Sequence, residues 1–165
     1  MPERVFISIG SNTGDSADNC RRAVVELEGS QDVDVVSVSS LYRTEPWGRT
    51  GQREFVNCAV EVTTRLAPTG LLDLLKGIER AMGRTPAERW GPRVIDLDIV
   101  FYGASVVSGR GLTIPHPHAH QRAFVLAPLA EIAPEFIHPV LGKSASELLE
   151  DLGAAGVERI ERDPL

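Results

Sequence analysis

Two aspartates in an otherwise apolar segment are the residues best placed to do chemistry. The segment from Val94 to Val100 has the β-branched, apolar composition of a strand, but Asp96 and Asp98 interrupt it. Alternate strand residues point to the same face, so the two carboxylates project together, about 6–7 Å apart along the chain. Such a pair resists burial and suits a hard divalent cation, which prefers oxygen ligands. The alternative is the solvated face of an amphipathic strand.

Basic residues cluster directly before this strand, in a chain that is acidic as a whole. Within residues 76–93 the basic residues are Lys76, Arg80, Arg84, Arg89 and Arg93. Guanidinium groups bind phosphates through paired N–H donors, and a loop containing Gly83, Gly91 and Pro92 could close over a polyphosphate. Together with the two aspartates, these residues indicate a metal-bound phosphate ester. The alternative is a charged loop that is exposed to solvent.

Three weaker motifs complete the set. Phe55 and Asn57 share one face of a predicted strand, which suits a flat heterocycle or an ordinary core. The segment of residues 10–14 is not a Walker A loop, so we expect an ordinary strand-to-helix turn. His116 lies in a Pro/His segment of three histidines, where the prolines and the lack of a cysteine argue against a structural metal, and one histidine could instead contact a ligand.

Composition limits the classes of protein to consider. The chain has 165 residues, of which 42% are hydrophobic and 24% charged, so we expect a single globular domain over residues 1–165. No apolar run is long enough to span a membrane, and no signal peptide is evident. Cys20 and Cys58 form no Cys-x-x-Cys pair, which favours two buried thiols in a cytoplasmic protein. The net charge of −6 argues against general nucleic-acid or membrane binding.

The order of predicted elements positions the candidate residues. Strands are predicted near residues 5–9, 33–42, 55–63 and 94–100, with helices from Asp15 or Ser16 to Gly29 and from Pro68 to Gly83. This strand–helix–strand–strand–helix–strand order is the ferredoxin-like βαββαβ pattern of α+β proteins. Beyond residue 104 we expect short strands near residues 112–114 and 157–160. Helices are expected near residues 122–130 and after the Ser144 cap.

The aspartate strand and the loop before it resemble the signature of one enzyme family, the 6-hydroxymethyl-7,8-dihydropterin pyrophosphokinases of folate synthesis. The signature segment is Arg89-Trp90-Gly91-Pro92-Arg93-Val94-Ile95-Asp96-Leu97-Asp98-Ile99. Further similar stretches, in the family's order, are Ile9-Gly10-Ser11-Asn12, Tyr42-Arg43-Thr44, Phe55-Val56-Asn57-Cys58-Ala59-Val60, Ile78-Glu79, Leu112-Thr113-Ile114-Pro115-His116 and Arg122-Ala123-Phe124. The resemblance extends to about residue 139.

The resemblance implies pyrophosphate transfer from ATP to the hydroxymethyl group of 6-hydroxymethyl-7,8-dihydropterin, on a three-layer αβα sandwich. It implies that Asp96 and Asp98 hold two Mg²⁺ ions with ATP, and that Arg84 and Arg93 complete the catalytic set. The residues implied to bind ATP are Arg84, Arg89, Arg93, Ile99, Thr113, His116 and Arg122. The residues implied to bind the pterin are Thr44, Trp47, Phe55, Asn57 and Phe124. We expect a monomer.

The sequence departs from the family pattern at three places. The segment of residues 83–89 is one residue shorter than in the best-known members, and Pro86 stands where a basic residue is frequent. Pro117 follows His116 where an aromatic residue is common, and Phe55 replaces a frequent tyrosine. These departures concern loop closure and ATP affinity rather than the type of reaction.

Two other functions share the predicted fold. An RNA-recognition module has the same element order but needs aromatic residues and basic charge on its central strands. Here the strand of residues 55–63 contains Glu61 and follows Glu54, so it lacks the basic charge that RNA binding requires. Another metal-dependent nucleotidyl- or phosphotransferase would bind Mg²⁺ and ATP with no dependence on a pterin.

Overall fold

A computed structural model describes residues 1–44, 54–83, 94–109 and 111–161 of the chain. In order, the elements are β1 (Glu3–Ser11), α1 (Ser16–Glu28), β2 (Val33–Val38), β3 (Leu41–Thr44), β4 (Phe55–Thr64), α2 (Pro68–Ala81), β5 (Asp96–Tyr102), β6 (Val107–Gly109), β7 (Leu112–Ile114), α3 (Ala123–Ile132), α4 (Ala145–Leu152) and β8 (Val157–Glu161). A short 3-10 helix over Ala119–Gln121 precedes α3.

One antiparallel sheet organises these elements. Its strand order is β5–β1–β4–β3–β8, and β2 pairs with β4 as well. The predicted strand of residues 33–42 is therefore two strands, β2 and β3, which follow each other along the same edge of β4. The break lies at Ser39 and Ser40. The order of the main strands is that of the predicted ferredoxin-like pattern, which confirms the α+β fold class.

Local sequence signals set where the helices begin. The Asp15 carboxylate accepts a hydrogen bond from the backbone N–H of Asp18 at 3.0 Å and caps α1. Pro68 occupies the first turn of α2, where its missing N–H costs no hydrogen bond. Ser144 and Glu147 form a reciprocal capping box at the start of α4. All three helix starts agree with the sequence prediction.

The helices cover both faces of the sheet, as the predicted three-layer sandwich requires. Helices α1 and α2 pack one core, which holds Cys20 and Cys58 as buried free thiols. Helices α3 and α4 pack a second core with Phe6 and Phe101 on the opposite face, which we call the α3 face. No helix within the described ranges is long and apolar enough to cross a membrane.

A β-bulge in β5 decides which of its residues reach each face. Phe6 of β1 pairs with Phe101, whereas the next residue, Ile7, pairs with Ile99. Val100 is the extra residue, and Val100 and Phe101 both belong to the α3-face core. Before the bulge, Leu97 and Ile99 point into the α1 and α2 core. Asp96 and Asp98 therefore alternate onto the α3 face.

Candidate active site

A row of residues across four strands forms the floor of the candidate site. On the α3 face Gly10 of β1 pairs with Asp96 of β5 on one side and with Asn57 of β4 on the other. Asn57 in turn pairs with Tyr42 of β3. Neighbouring strands lie about 4.8 Å apart, so the backbones at Asp96 and Asn57 are separated by about 10 Å.

The two carboxylates occupy the β5 end of this floor. Asp98 is exposed and Asp96 is half-buried, while Leu97 between them is buried. This alternation confirms that the aspartates share one face. Within the described ranges, no group of three or more histidine, cysteine, aspartate and glutamate side chains could hold a metal ion. Two carboxylates nevertheless fit Mg²⁺, which usually keeps several waters and binds one or two carboxylates together with substrate phosphates.

The β4 end of the floor contains buried polar atoms that lack partners. Asn57 and Thr44 are 4% and 8% exposed. Among the described residues, Nδ2 of Asn57 and Oγ1 of Thr44 have no hydrogen-bond partner. A buried polar group without a partner costs about 1–3 kcal/mol, so two such atoms at diagonal positions of the neighbouring strands β3 and β4 indicate a place where a polar ligand binds. Phe55, which pairs with Thr44, leaves 38% of its surface exposed.

Helix α3 forms a wall beside these strands. It packs against β3 and β4. The partly buried side chain of Phe124, in its first turn, packs against the α3-face core. The guanidinium of Arg122, directly before the helix, lies 5.8 Å from the centre of the Phe124 ring. A half-buried aromatic ring and a guanidinium group therefore lie next to each other at the start of the helix.

His116 is tied to the bulge of β5. Its backbone N–H donates to the Val100 carbonyl at 3.0 Å, and its Nδ1 accepts from the backbone N–H of His118 at 3.2 Å. Burial, helped by the nearby charges of Arg122 and His118, lowers the pKa of His116 from 6.5 to about 4. The ring is neutral at physiological pH, and because Nδ1 accepts, its proton lies on Nε2.

Comparison with known proteins assigns the chain to a family. The family model described as "7,8-dihydro-6-hydroxymethylpterin-pyrophosphokinase (HPPK)" matches residues 6–134. This chain is a member of the HPPK family.

Curated relatives and solved structures agree with this assignment. A pyrophosphokinase of Methylorubrum extorquens, named for 2-amino-4-hydroxy-6-hydroxymethyldihydropteridine, is 45% identical over 158 residues, which cover 96% of this chain and 99% of the relative. One of the same name from Bacillus subtilis is 46% identical over 132 residues, which cover 80% of this chain and 79% of the relative. A Plasmodium falciparum HPPK-DHPS structure shares the fold, with a TM-score of 0.74 and 17% identity. This chain spans 44% of that longer protein.

The structure places the residues implied by the HPPK resemblance in three ways. Several lie on or beside the α3 face as described: Thr44, Phe55, Asn57, Asp96, Asp98, His116, Arg122 and Phe124. Ile99 has its side chain in the opposite core, so only its backbone could contact a nucleotide. Thr113 is exposed on β7, where it pairs with Ser108. The remaining residues, Trp47, Arg84, Arg89 and Arg93, lie outside the described residues.

Two residues near the HPPK site were missed as site residues by the sequence analysis. A Cβ atom added at Gly10 would lie 2.5 Å from Oδ1 of Asn57, so a glycine is needed for the amide to lie across β1. Glu79, buried on α2, accepts a hydrogen bond from the backbone N–H of Leu97 at 2.8 Å and fixes β5 between the two aspartates. Glu79 could have been detected as an acid next to the apolar stripe of a helix, whereas Gly10 was marked only by its place in the stretch Ile9-Gly10-Ser11-Asn12.

The segment of residues 10–14 comprises the end of β1 and the start of the turn that leads to α1. The side-chain amide of Asn19 in α1 donates to the Thr13 carbonyl at 2.8 Å and to the Ser11 hydroxyl at 3.2 Å. The segment is thus fastened to the helix that follows it, as expected for an ordinary strand-to-helix turn.

Proposed function

We propose that this chain transfers pyrophosphate from ATP to the hydroxymethyl group of 6-hydroxymethyl-7,8-dihydropterin, and that it does so on the α3 face. Membership of the HPPK family supports the reaction. The observation that supports the location is that Nδ2 of Asn57 and Oγ1 of Thr44 are buried and have no hydrogen-bond partner among the described residues, with Asn57 about two strand spacings from the aspartates. The products are AMP and the pterin diphosphate of folate synthesis.

Pterin recognition follows from the β4 end of the floor. The pterin ring is flat and has hydrogen-bonding groups along one edge. Nδ2 of Asn57 would donate to a ring acceptor, and the Thr44 hydroxyl would complete a second hydrogen bond. Phe55 and Phe124 would contact the two faces of the ring. Trp47 belongs to this site by family resemblance.

ATP binding is assigned to the β5 end of the floor. Asp96 and Asp98 would hold two Mg²⁺ ions, which when bound supply charge neutralisation of the triphosphate. Nε2–H of the neutral His116 would donate to a phosphate oxygen, and the Arg122 guanidinium would neutralise phosphate charge. By family resemblance, further phosphate contacts come from Arg84, Arg89 and Arg93, and further ATP contacts from Thr113 and the backbone of Ile99.

The reaction needs alignment of the two substrates and neutralisation of charge. The hydroxymethyl oxygen attacks the β-phosphorus of ATP in line, the bond to the bridging oxygen of the α-phosphate breaks, and AMP leaves. The strands would hold the pterin and the triphosphate on one floor, so the entropy of bringing them together would be lost on binding rather than in the reaction. Arg84 and Arg93 would stabilise the transferred group in the transition state.

One assay tests the reaction. The protein is mixed with ATP, Mg²⁺ and the reduced hydroxymethylpterin, and the nucleotide products are separated by chromatography. We expect AMP that forms only when the pterin is present, in equal amount to the pterin diphosphate. ADP as the product would indicate an ordinary kinase, and nucleotide turnover without pterin would indicate another phosphotransferase.

We further propose that residues 1–165 form one pyrophosphokinase domain that acts as a cytoplasmic monomer. Both cores lie against the same central sheet, which supports a single domain. Light scattering of the active enzyme at micromolar concentration should give the mass of one 17.9 kDa chain. A dimer mass would contradict the monomer proposal.

A further inference from the structure

We infer that Glu131 is a positioning residue for pterin binding, because it joins the helix and the strands that form the two sides of the pterin site. The inference rests on the proposed function. Glu131 lies in the last turn of α3, and the bonds it makes reach back about 90 residues to the break between β2 and β3.

The Glu131 carboxylate accepts hydrogen bonds from residues at that break and just after it. Its two oxygens accept from the backbone N–H of Ser40 at 3.0 and 3.1 Å. Oε2 also accepts from the Ser40 hydroxyl at 2.9 Å, and Oε1 accepts from the Tyr42 hydroxyl at 2.7 Å. The guanidinium of Arg159 on β8 lies 3.9 Å from Oε1 and 5.8 Å from the centre of the Tyr42 ring. One carboxylate therefore fixes α3 to two adjacent strands.

These contacts lie on the same elements as the pterin site. Phe124 and Glu131 are seven residues apart on α3, which is about two turns or 10 Å, so both lie on the same side of the helix. On β3, Tyr42 and Thr44 are alternate residues of the α3 face, and Tyr42 pairs directly with Asn57. A hydrogen-bonded contact at one end of α3 thus sets the spacing between Phe124 and the strand residues at the other end.

A carboxylate suits this position because both of its oxygens accept, and among the described residues it receives a backbone N–H and two hydroxyl donors and lies near the Arg159 guanidinium. The Ser40 N–H cannot accept a hydrogen bond. Burial and the hydrogen bond to Glu131 raise the pKa of Tyr42 to about 12, so its hydroxyl stays protonated. The Glu131→Gln substitution keeps the shape but leaves one acceptor oxygen in place of two and removes the charge near Arg159, so the hydroxyls of Ser40 and Tyr42 can no longer both donate as they do to the carboxylate. The helix end would then shift away from β3.

The test compares substrate constants for Glu131→Gln and a matched control. We expect the KM for the pterin to rise about tenfold while the KM for ATP stays within twofold. The control is Glu61→Gln, which also neutralises a hydrogen-bonded carboxylate on the α3 face; Glu61 is 8% exposed and accepts from Arg4 at 3.1 Å. It removes a comparable ion pair far along β4, so both substrate constants should stay within twofold of wild type.

A second variant tests the same contact without replacing the carboxylate. Tyr42→Phe removes only the hydroxyl that donates to Oε1, and we expect the pterin KM to rise about threefold. If Glu131→Gln fails to fold, this variant decides the question. In the double variant the two increases should not multiply, because both substitutions remove the same hydrogen bond.

Two results would overturn the inference. If the KM for the pterin and the KM for ATP rise in parallel, the substitution has loosened the fold in general. If the melting temperature falls while the pterin KM stays unchanged, the role of Glu131 is purely structural. The proposed function fails independently, because in that case the wild-type protein would form no pterin-dependent AMP.

Discussion

Replacing Gly10 with alanine should separate pterin binding from stability. The added Cβ atom would lie 2.5 Å from Oδ1 of Asn57, so this oxygen must move by about 0.9 Å to restore an ordinary contact of 3.4 Å. Gly10 has no positive φ angle, so alanine can adopt its backbone conformation. The strain therefore falls on the Asn57 amide, which β4 presents to the pterin in our proposal.

The expected loss of pterin affinity follows from the hydrogen bond that the Asn57 amide would make to the pterin. Misplacing one buried amide costs about 1.5–3 kcal/mol of binding free energy, which raises the Kd for the pterin about 10–100-fold. The free energy of unfolding should change little, because alanine gains about 0.5–1 kcal/mol over glycine in a strand and this offsets part of the strain. Isothermal titration with the pterin and thermal unfolding measure the two effects separately.

Two further variants test whether the effect of Gly10→Ala on pterin binding comes from the Asn57 amide. Gly77→Ala lies on α2, where the new Cβ atom would approach nothing closer than 3.9 Å, and it should leave the pterin Kd unchanged. Asn57→Ala should weaken pterin binding, and adding Gly10→Ala to it should cause little further loss because both act through one amide. A pterin Kd for Gly10→Ala within twofold of wild type would refute the reasoning.

The remaining predictions concern charge, protonation and helix capping. Asp98→Asn should lower kcat at least about 10²-fold while the melting temperature stays within a few degrees, because Asp98 is exposed; a near-normal rate would remove it from the site. In His116→Asn the Oδ1 atom can replace the Nδ1 acceptor but does not titrate. Since folded His116 takes up its proton near pH 4 and the unfolded residue near pH 6.5, wild-type stability falls as the pH is lowered through this window. Urea unfolding at pH 7 and pH 4.5 should show a smaller loss for His116→Asn, and equal losses would contradict the lowered pKa. Ser144→Ala should cost about 1 kcal/mol in urea unfolding and leave AMP formation unchanged; a changed rate would mean that α4 influences the site.

Local chemistry made much of the fold predictable. Caps such as Asp15, the proline at the start of α2 and the apolar stripe of that helix act within a few residues, so the sequence alone contains their signals. The alternation of Asp96 and Asp98 likewise depends only on the period of a strand. These signals were enough to predict the element order and the shared face of the two carboxylates.

Long-range contacts explain what the sequence did not predict. At the break between β2 and β3, the backbone N–H of Ser40 bonds to Glu131, which follows it by 91 residues. The approach of Asn57 to Gly10 depends on the pairing of β1 with β4, and no local pattern reveals it. The arginine cluster remains a prediction, because Arg84, Arg89 and Arg93 lie outside the described residues.

The bulge at Val100 decides which face of the sheet the aspartates occupy. If the chain kept Val100 but paired without a bulge, Val100 would pair with Ile7 and Ile99 with Ser8, and Asp96 and Asp98 would turn into the core with α1 and α2. Deleting Val100 would instead keep the pairing of Ile7 with Ile99, and with it both aspartates on the α3 face, but it would remove the carbonyl that accepts from the His116 N–H. A one-residue gap at Val100 in a relative is therefore expected to change how the segment of His116 is held, whereas an inserted residue that pairs regularly would turn both aspartates away from the site.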